Sequence, residues 1–268
     1  MVTGRTSVLT EMREVLGSSL ADSHVSEFKW KKFKNAKYKF AAQKLLSSVL
    51  RLANRRDIRV DTIVWDTYDS RHAVVGRDSN ANFERMYYHL LHASLKRWPR
   101  GAHWSIHPDE KNGVDWDTLS DTLTATGRRA DSERALWGPL LSDGHFTVHR
   151  LIPYDSIREP LVQVADLFAG MAVYSKVAYD KIAAWWQSRT PTLFDTDDVA
   201  GVISNGDQVR CQFIDEFYQQ CKEFRLGVSL RSHQSLRTMD PKNPLNFWHY
   251  TPQGEYDKAP IRDPNRRA

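Results

Sequence analysis

The stretch EPLVQVADLFAG, residues 159–170, is apolar almost throughout, yet Gln163 and Asp166 stand in it three residues apart. At a helical advance of roughly 100° per residue, Gln163, Asp166 and Gly170 fall within about one sixth of the circle. Everything else from Leu161 to Val173 is apolar or small. A helix that is apolar nearly all round belongs in a core, and Pro160 suits its first turn. Its one polar stripe is therefore expected to be buried or to line a cleft. A buried carboxylate needs a cation, a metal ion or several donors. Gly170, one turn on, leaves room for a close neighbour. Asp166 thus has two readings: it pairs with structure nearby, or it belongs to a site.

Outward from this helix, strands and helices alternate. Residues 5–21 and 34–55 read as amphipathic helices. In the second, Tyr38, Ala41, Ala42, Leu45, Val49, Leu52 and Ala53 share one face, and Lys37, Lys44, Arg51 and Arg55 line the other. Residues 24–31 read as extended or loop. The run IRVDTIVWDTYD, 58–69, reads as a strand with Val60, Thr62, Val64 and Asp66 on one side. A helix over 82–98, a strand over 102–107, a helix over 114–130 and a strand over 145–155 follow. Residues 188–208 read as a loop, 209–226 as a helix, and the chain from 231 as Pro-rich and irregular. The alternation predicts an α/β layer fold, with one domain over 1–230 and an irregular extension, 231–268, packed on it.

The 268 residues suffice for a sizeable core. Two cysteines, Cys211 and Cys221, give no disulfide framework, and both read as core or free thiols. No secretory signal and no membrane-spanning run is visible, so a cytoplasmic location is expected. The net charge of +5 is mild, but it is concentrated. From Lys29 to Arg59 there are eleven Lys or Arg against one acid, Asp57. Such a block suits a phosphate backbone, and equally a solvated helix face.

Candidate site residues come from acids that stand apart in sequence. Pro108 stops a strand and delivers Asp109 and Glu110 at its C-terminal end, a usual place for a site in an α/β sheet. Glu27 stands at the edge of the basic block, and Asp66 on the inner face of a strand. Converging acids of this kind are what a hard cation such as Mg²⁺ or Mn²⁺ requires. His107 leads into Asp109 and is placed to assist. His89 and His92 have a spacing that can hold a metal, but no further zinc ligands stand near, so packed residues are the simpler account. Asp69 and Ser70 read equally as a turn.

The segments EFKW (27–30), HPDE (107–110) and PLVQVADLFAG (160–170) together resemble the family catalogued as domain of unknown function 3800. The ending DPKNPLNFWHY with DKAP is similar to the tail of one branch of it. The resemblance covers roughly residues 20–260. It implies an RNase H-like fold, a mixed β-sheet flanked by helices, with acids clustered for divalent metals. Carried over by motif, Glu27, Asp109 and Asp166 are its catalytic and metal-binding positions. Gln163, Asp66, His107 and Glu110 would stand behind them. The family pattern opens with a strand ending in Asp-Glu-Ser-Gly, which this sequence lacks. The resemblance therefore implies that the first strand or strands are missing and that the chain is truncated or inactive as it stands.

The function expected on this basis is metal-dependent phosphodiester hydrolysis. Lys29, Lys31, Lys32, Lys37, Lys44, Arg51 and Arg55 would track an RNA or DNA backbone, and Trp30 would stack on a base or anchor the core. The alternative is a non-catalytic module that binds nucleic acid or protein, in a phage-defence setting. A third reading, hydrolysis of sugars by a carboxylate pair such as Asp166 and Asp109, needs no metal.

Overall fold

The computed structural model describes residues 1–69, 72, 74–132, 145–189 and 203–251, with the side chains of 128–132 excepted. Ser70, most of the expected loop at 188–208 and the DKAP tail lie outside the described residues. The fold is mixed α/β, with small sheets flanked by seven α-helices among the described residues. It divides into two compact units. The first joins Met1–Thr62 to Ser156–Trp248, and the second joins Ile63–Asp155 to the described part of His249–Ala268. This boundary differs from the expected one at 230, because the chain returns to the first unit after residue 155.

The first unit carries a three-stranded sheet in the order β1 (Val2–Gly4), β2 (Ile58–Val64), β7 (Leu245–His249). β1 pairs antiparallel with β2, setting Val2 opposite Val60 and Gly4 opposite Ile58. Sequence reading places no strand ahead of the first helix, because three residues give no periodicity to detect. It also takes the chain beyond 231 as irregular, whereas β7 and the two-stranded pair β5 (Val228–Ser229) and β6 (Arg237–Thr238) lie there or begin just before it. As the middle strand, β2 is covered on both sides: Ile58, Arg59, Val60, Asp61 and Thr62 are all buried. Strict alternation sets Asp61 on the face opposite Val60 and Thr62. It is fully buried and accepts from Asn246 Nδ2 (2.9 Å) and Arg59 Nη2 (3.4 Å). Arg59 also donates to the carbonyls of Pro241 (2.8 Å) and Lys242 (3.2 Å). The tail run DPKNPLN thus serves a buried Arg–Asp pair. Removing one partner of such a pair typically costs about 3–5 kcal/mol.

Around this sheet lie α1 (Thr6–Asp22), α2 (Ala36–Asn54), α5 (Pro160–Val177), α6 (Tyr179–Arg189) and α7 (Asn205–Glu223). α2 starts where Asn35 accepts from Tyr38 N (3.2 Å), and it buries Ala41, Ala42, Leu45, Val49 and Ala53, the face its sequence marks. α5 starts at Glu159, whose carboxylate accepts from Leu161 N (3.2 Å). Arg13 of α1 holds the same carboxylate through Nε (3.0 and 3.1 Å) and Nη2 (2.9 Å). α5 then buries Val164, Leu167, Phe168, Met171 and Ala172, as an apolar core helix should. It ends at Ala178, and α6 leaves at 82°. Among the described residues no single helix is long and apolar enough to cross a membrane.

The second unit is built on α3 (Ser79–Leu95) and on β3 (Ala102–Ile106), α4 (Trp116–Ser132) and β4 (Phe146–Leu151). β3 and β4 pair in parallel, and a parallel pair needs a crossover, which α4 supplies. Beyond the strands an isolated bridge between Asp109 and Tyr154 carries the pairing on. The strand expected over 58–69 ends at Val64, because Asp66 Oδ1 accepts from Tyr68 N (2.9 Å) and turns the chain.

Candidate functional site

The polar stripe of α5 is a docking strip for the segment 27–33. Gln163 is buried and uses both ends of its amide: Oε1 accepts from Phe28 N (2.7 Å), and Nε2 donates to the Ser156 carbonyl (2.8 Å). One turn on, Asp166 Oδ2 accepts from Trp30 N (2.7 Å). A further turn on, Trp30 lies so close over Gly170 that a Cβ there would run into its Cγ. Along a helix, steps of three and four residues advance about 4.5 and 6 Å. Along an extended chain, two residues advance about 6.6 Å. Gln163 and Asp166 thus meet backbone N–H groups two residues apart in the extended run that leads into the 3-10 turn Trp30–Lys32, and Gly170 meets the Trp30 side chain. This places the close neighbour that Gly170 allows. The stripe is not uniformly buried, however: Gln163 is enclosed, and Asp166 is exposed. The strip runs from the interior to the surface.

Glu27 enters the same network from the other side. Ser156 Oγ donates to Glu27 Oε1 (2.6 Å), so Ser156 joins Gln163 to Glu27 through its carbonyl and its hydroxyl. Lys29 Nζ lies 2.9 Å from Oε1, and Lys32 Nζ 3.9 Å from Oε2. Burial alone would push the Glu27 carboxyl up. The hydrogen bonds from Ser156 and Lys29 and the charges of Lys29 and Lys32 outweigh it and hold the group below its ordinary value. Trp30 is anchored as well: it lies beside Phe33 (5.1 Å) and Tyr174 (6.0 Å), with the Arg210 guanidinium 5.6 Å from its ring. Lys31, Lys32, Lys37, Arg51 and Arg55 are exposed. Lys44 is paired with Asp22 (3.0 Å), and Arg55 with Asp57 (2.8 Å). The expected basic stripe is thus partly neutralised along α2.

In the second unit, Asp109 and Glu110 are exposed just past β3. Glu110 N donates to the Tyr154 carbonyl (3.1 Å), and the His107 ring stacks on Tyr154 at 4.5 Å. Tyr87 is pushed up to about 12, first by burial and then by the charge of Asp109. Asp66 is exposed in its turn. His92 stacks on Tyr88 at 5.5 Å and is pushed down to about 4, first by burial and then by the charges of Lys96, His89 and His145. His89 Nε2 lies 3.3 Å from the Tyr250 hydroxyl. These contacts give the two histidines packing roles.

The uncharacterized protein ORF2′ of Methanothermobacter thermautotrophicus is 36% identical over 259 residues, which cover 94% of this chain and 86% of that protein. The chain belongs to its family. The uncharacterized protein ORF2 of the same organism is 38% identical over 211 residues, 76% of this chain and 68% of its own length. No family model matches the chain, and no solved structure does.

For this family member the acids divide between the units: Glu27 and Asp166 lie in the first, Asp109 in the second. Among the described residues no three His, Cys, Asp or Glu side chains are grouped to hold a metal ion. Glu27 and Asp166 are hard oxygen donors, and Mg²⁺ is commonly held by one or two carboxylates with water and substrate phosphate completing its shell. The donor chemistry of the first unit fits on those terms, with Asp166 as the exposed member. Ser156 and Glu159 escaped sequence reading. Each acts through a partner far away in the chain, so no local pattern marks them.

Proposed function

We propose that the chain is a divalent-metal-dependent nuclease of the RNase H-like kind, acting on RNA or DNA. The observation that carries this reading is the Trp30 N–H bond to Asp166. It brings a segment containing Glu27, Lys29, Lys31 and Lys32 onto the helix that carries Asp166. Two carboxylates far apart in sequence therefore belong to one junction, with cations beside them that suit a phosphate backbone. The resemblance of the 27–30, 107–110 and 160–170 motifs adds to it. Glu27 and Asp166 would hold Mg²⁺ or Mn²⁺. When bound, such an ion polarises a phosphodiester and lowers the pKa of an attacking water. The chain's own part is to orient: Gln163 and Ser156 fix Glu27 and the backbone of Phe28, and Lys29, Lys31 and Lys32 bind the substrate strand. Two free buried cysteines accord with a reducing, cytoplasmic setting.

The test is cleavage of single- and double-stranded RNA, DNA and hybrids with Mg²⁺, with Mn²⁺ and with EDTA. Metal-dependent cleavage abolished by Asp166→Asn is expected, since the amide keeps an acceptor for Trp30 N–H while losing its charge. No metal-dependent cleavage overturns the proposal. A second reading, a non-catalytic binding module, is favoured by one observation: Glu27 is already neutralised by Lys29 and Lys32. It expects salt-sensitive binding without turnover.

A further inference from the structure

A cavity of about 330 Å³ opens in the first unit beside α6 and α7, away from the strip on α5. That is the small end of the range for ligand pockets, about 300–1,000 Å³, the size class of a nucleoside rather than a dinucleotide. Trp185 and Trp186 line it from α6. Each indole carries a guanidinium: Arg189 lies 4.9 Å from the Trp185 ring and Arg231 4.4 Å from the Trp186 ring. Both arginines are exposed, and among the described residues neither guanidinium donates a hydrogen bond to a protein acceptor. Two flat cations held in place, with their N–H edges uncommitted, are built to receive an anion.

The acids of the cavity are not equivalent. Glu216 is fully engaged: Oε1 accepts from Gln212 Nε2 (2.8 Å) with Lys39 at 3.6 Å, and Oε2 accepts from Gln43 Nε2 (2.9 Å). Asp215 is engaged on one side only, where Oδ1 accepts from Trp186 Nε1 (2.8 Å) and Gln219 Nε2 (3.2 Å). Its Oδ2 has no hydrogen-bond partner among the described residues. The cavity therefore combines flat stacking surfaces, anion-binding edges and one acceptor oriented by its own indole.

We propose that this cavity binds a nucleoside monophosphate unit. The base stacks on the guanidinium and indole planes and donates an amino N–H to Asp215 Oδ2. Its phosphate is held by Arg189 and Arg231. Guanine, adenine and cytosine carry such an amino group, and uracil does not. The unit is either a free nucleotide or one residue of a single strand. The site uses no residue of the α5 strip and needs no metal ion, so it stands or falls independently of the nuclease reading.

The experiment is isothermal titration of the full chain in EDTA with GMP, AMP, CMP, UMP, inorganic phosphate and a single-stranded hexanucleotide. The expected result is binding of GMP, AMP and CMP ahead of UMP and phosphate. Arg231→Ala should weaken it by about tenfold, one charge-assisted hydrogen bond. Asp215→Asn should remove the preference over UMP, because an amide keeps an acceptor but adds a donor. Both variants alter surface-accessible positions, and thermal unfolding confirms that they fold. A hexanucleotide that binds more tightly than GMP, with the same sensitivity to Arg231→Ala, identifies a strand as the source. Equal or weaker binding identifies a free nucleotide. No binding at millimolar ligand overturns the proposal, as does binding unchanged by both variants or inorganic phosphate that matches GMP.

Discussion

The junction on α5 and the surface beyond β3 treat their acids in opposite ways. At the junction, Gln163, Asp166 and Glu27 each answer a particular donor of the 27–30 segment or of Ser156. Beyond β3, Asp109 and Glu110 are exposed at the end of a parallel pair, and the charge of Asp109 adds to the rise of the Tyr87 phenol. The first arrangement makes the polar residues part of the architecture. The second sets them at the surface. A motif of polar residues in an apolar run therefore has two meanings that one sequence can hold together: it fixes a segment, and it presents what that segment carries.

The sharpest way to break this contrast is Gln163→Leu. It leaves the buried Phe28 N–H and Ser156 carbonyl without partners, at about 1–3 kcal/mol each, so a loss of about 2–6 kcal/mol in urea unfolding is expected. A neutral result would mean that the strip does not hold the segment. Gly170→Ala comes next, at about 1–3 kcal/mol for overpacking against Trp30. The pairing is checked by a double-mutant cycle: Trp30→Ala should cost less in the Gly170→Ala background than in the wild-type chain, because the clash has gone.

Two titrations sharpen the comparison by sign. His92, pushed down to about 4 chiefly by burial, binds fewer protons folded than unfolded between that value and the unfolded His value of about 6.5. Stability should fall as the pH drops through that window, and His92→Leu should flatten this part of the profile. Glu27 is held below the ordinary carboxyl value of 4.5, so its contribution is present above 4.5 and is lost as the pH falls through its lower folded value. Glu27→Gln should remove that acid-side component in melts collected below pH 5. The smallest effect belongs to Asp109→Asn, an exposed change expected to alter stability by no more than about 0.5 kcal/mol. It should still bring the Tyr87 phenol down from about 12 in an ultraviolet titration, because one of the two causes of its rise is that charge.

The sequence by itself determined the buried helix, its one polar stripe, the room at Gly170 and the apolar face of α2. Each of these is periodic over several turns, and periodicity is what a chain records locally. It also carried the acids of the candidate site, as residue types and positions. Only the tertiary structure decided that Gln163 and Asp166 answer the backbone of 28–30, that Ser156 ties Glu27 to them, and that the two units divide the acids. It alone placed β1, β7 and the Arg59–Asp61–Asn246 network, because two- to five-residue strands and long-range polar pairs leave no repeat to read. A hydrogen bond between distant residues depends on how the chain closes, and closure is a property of the packed whole.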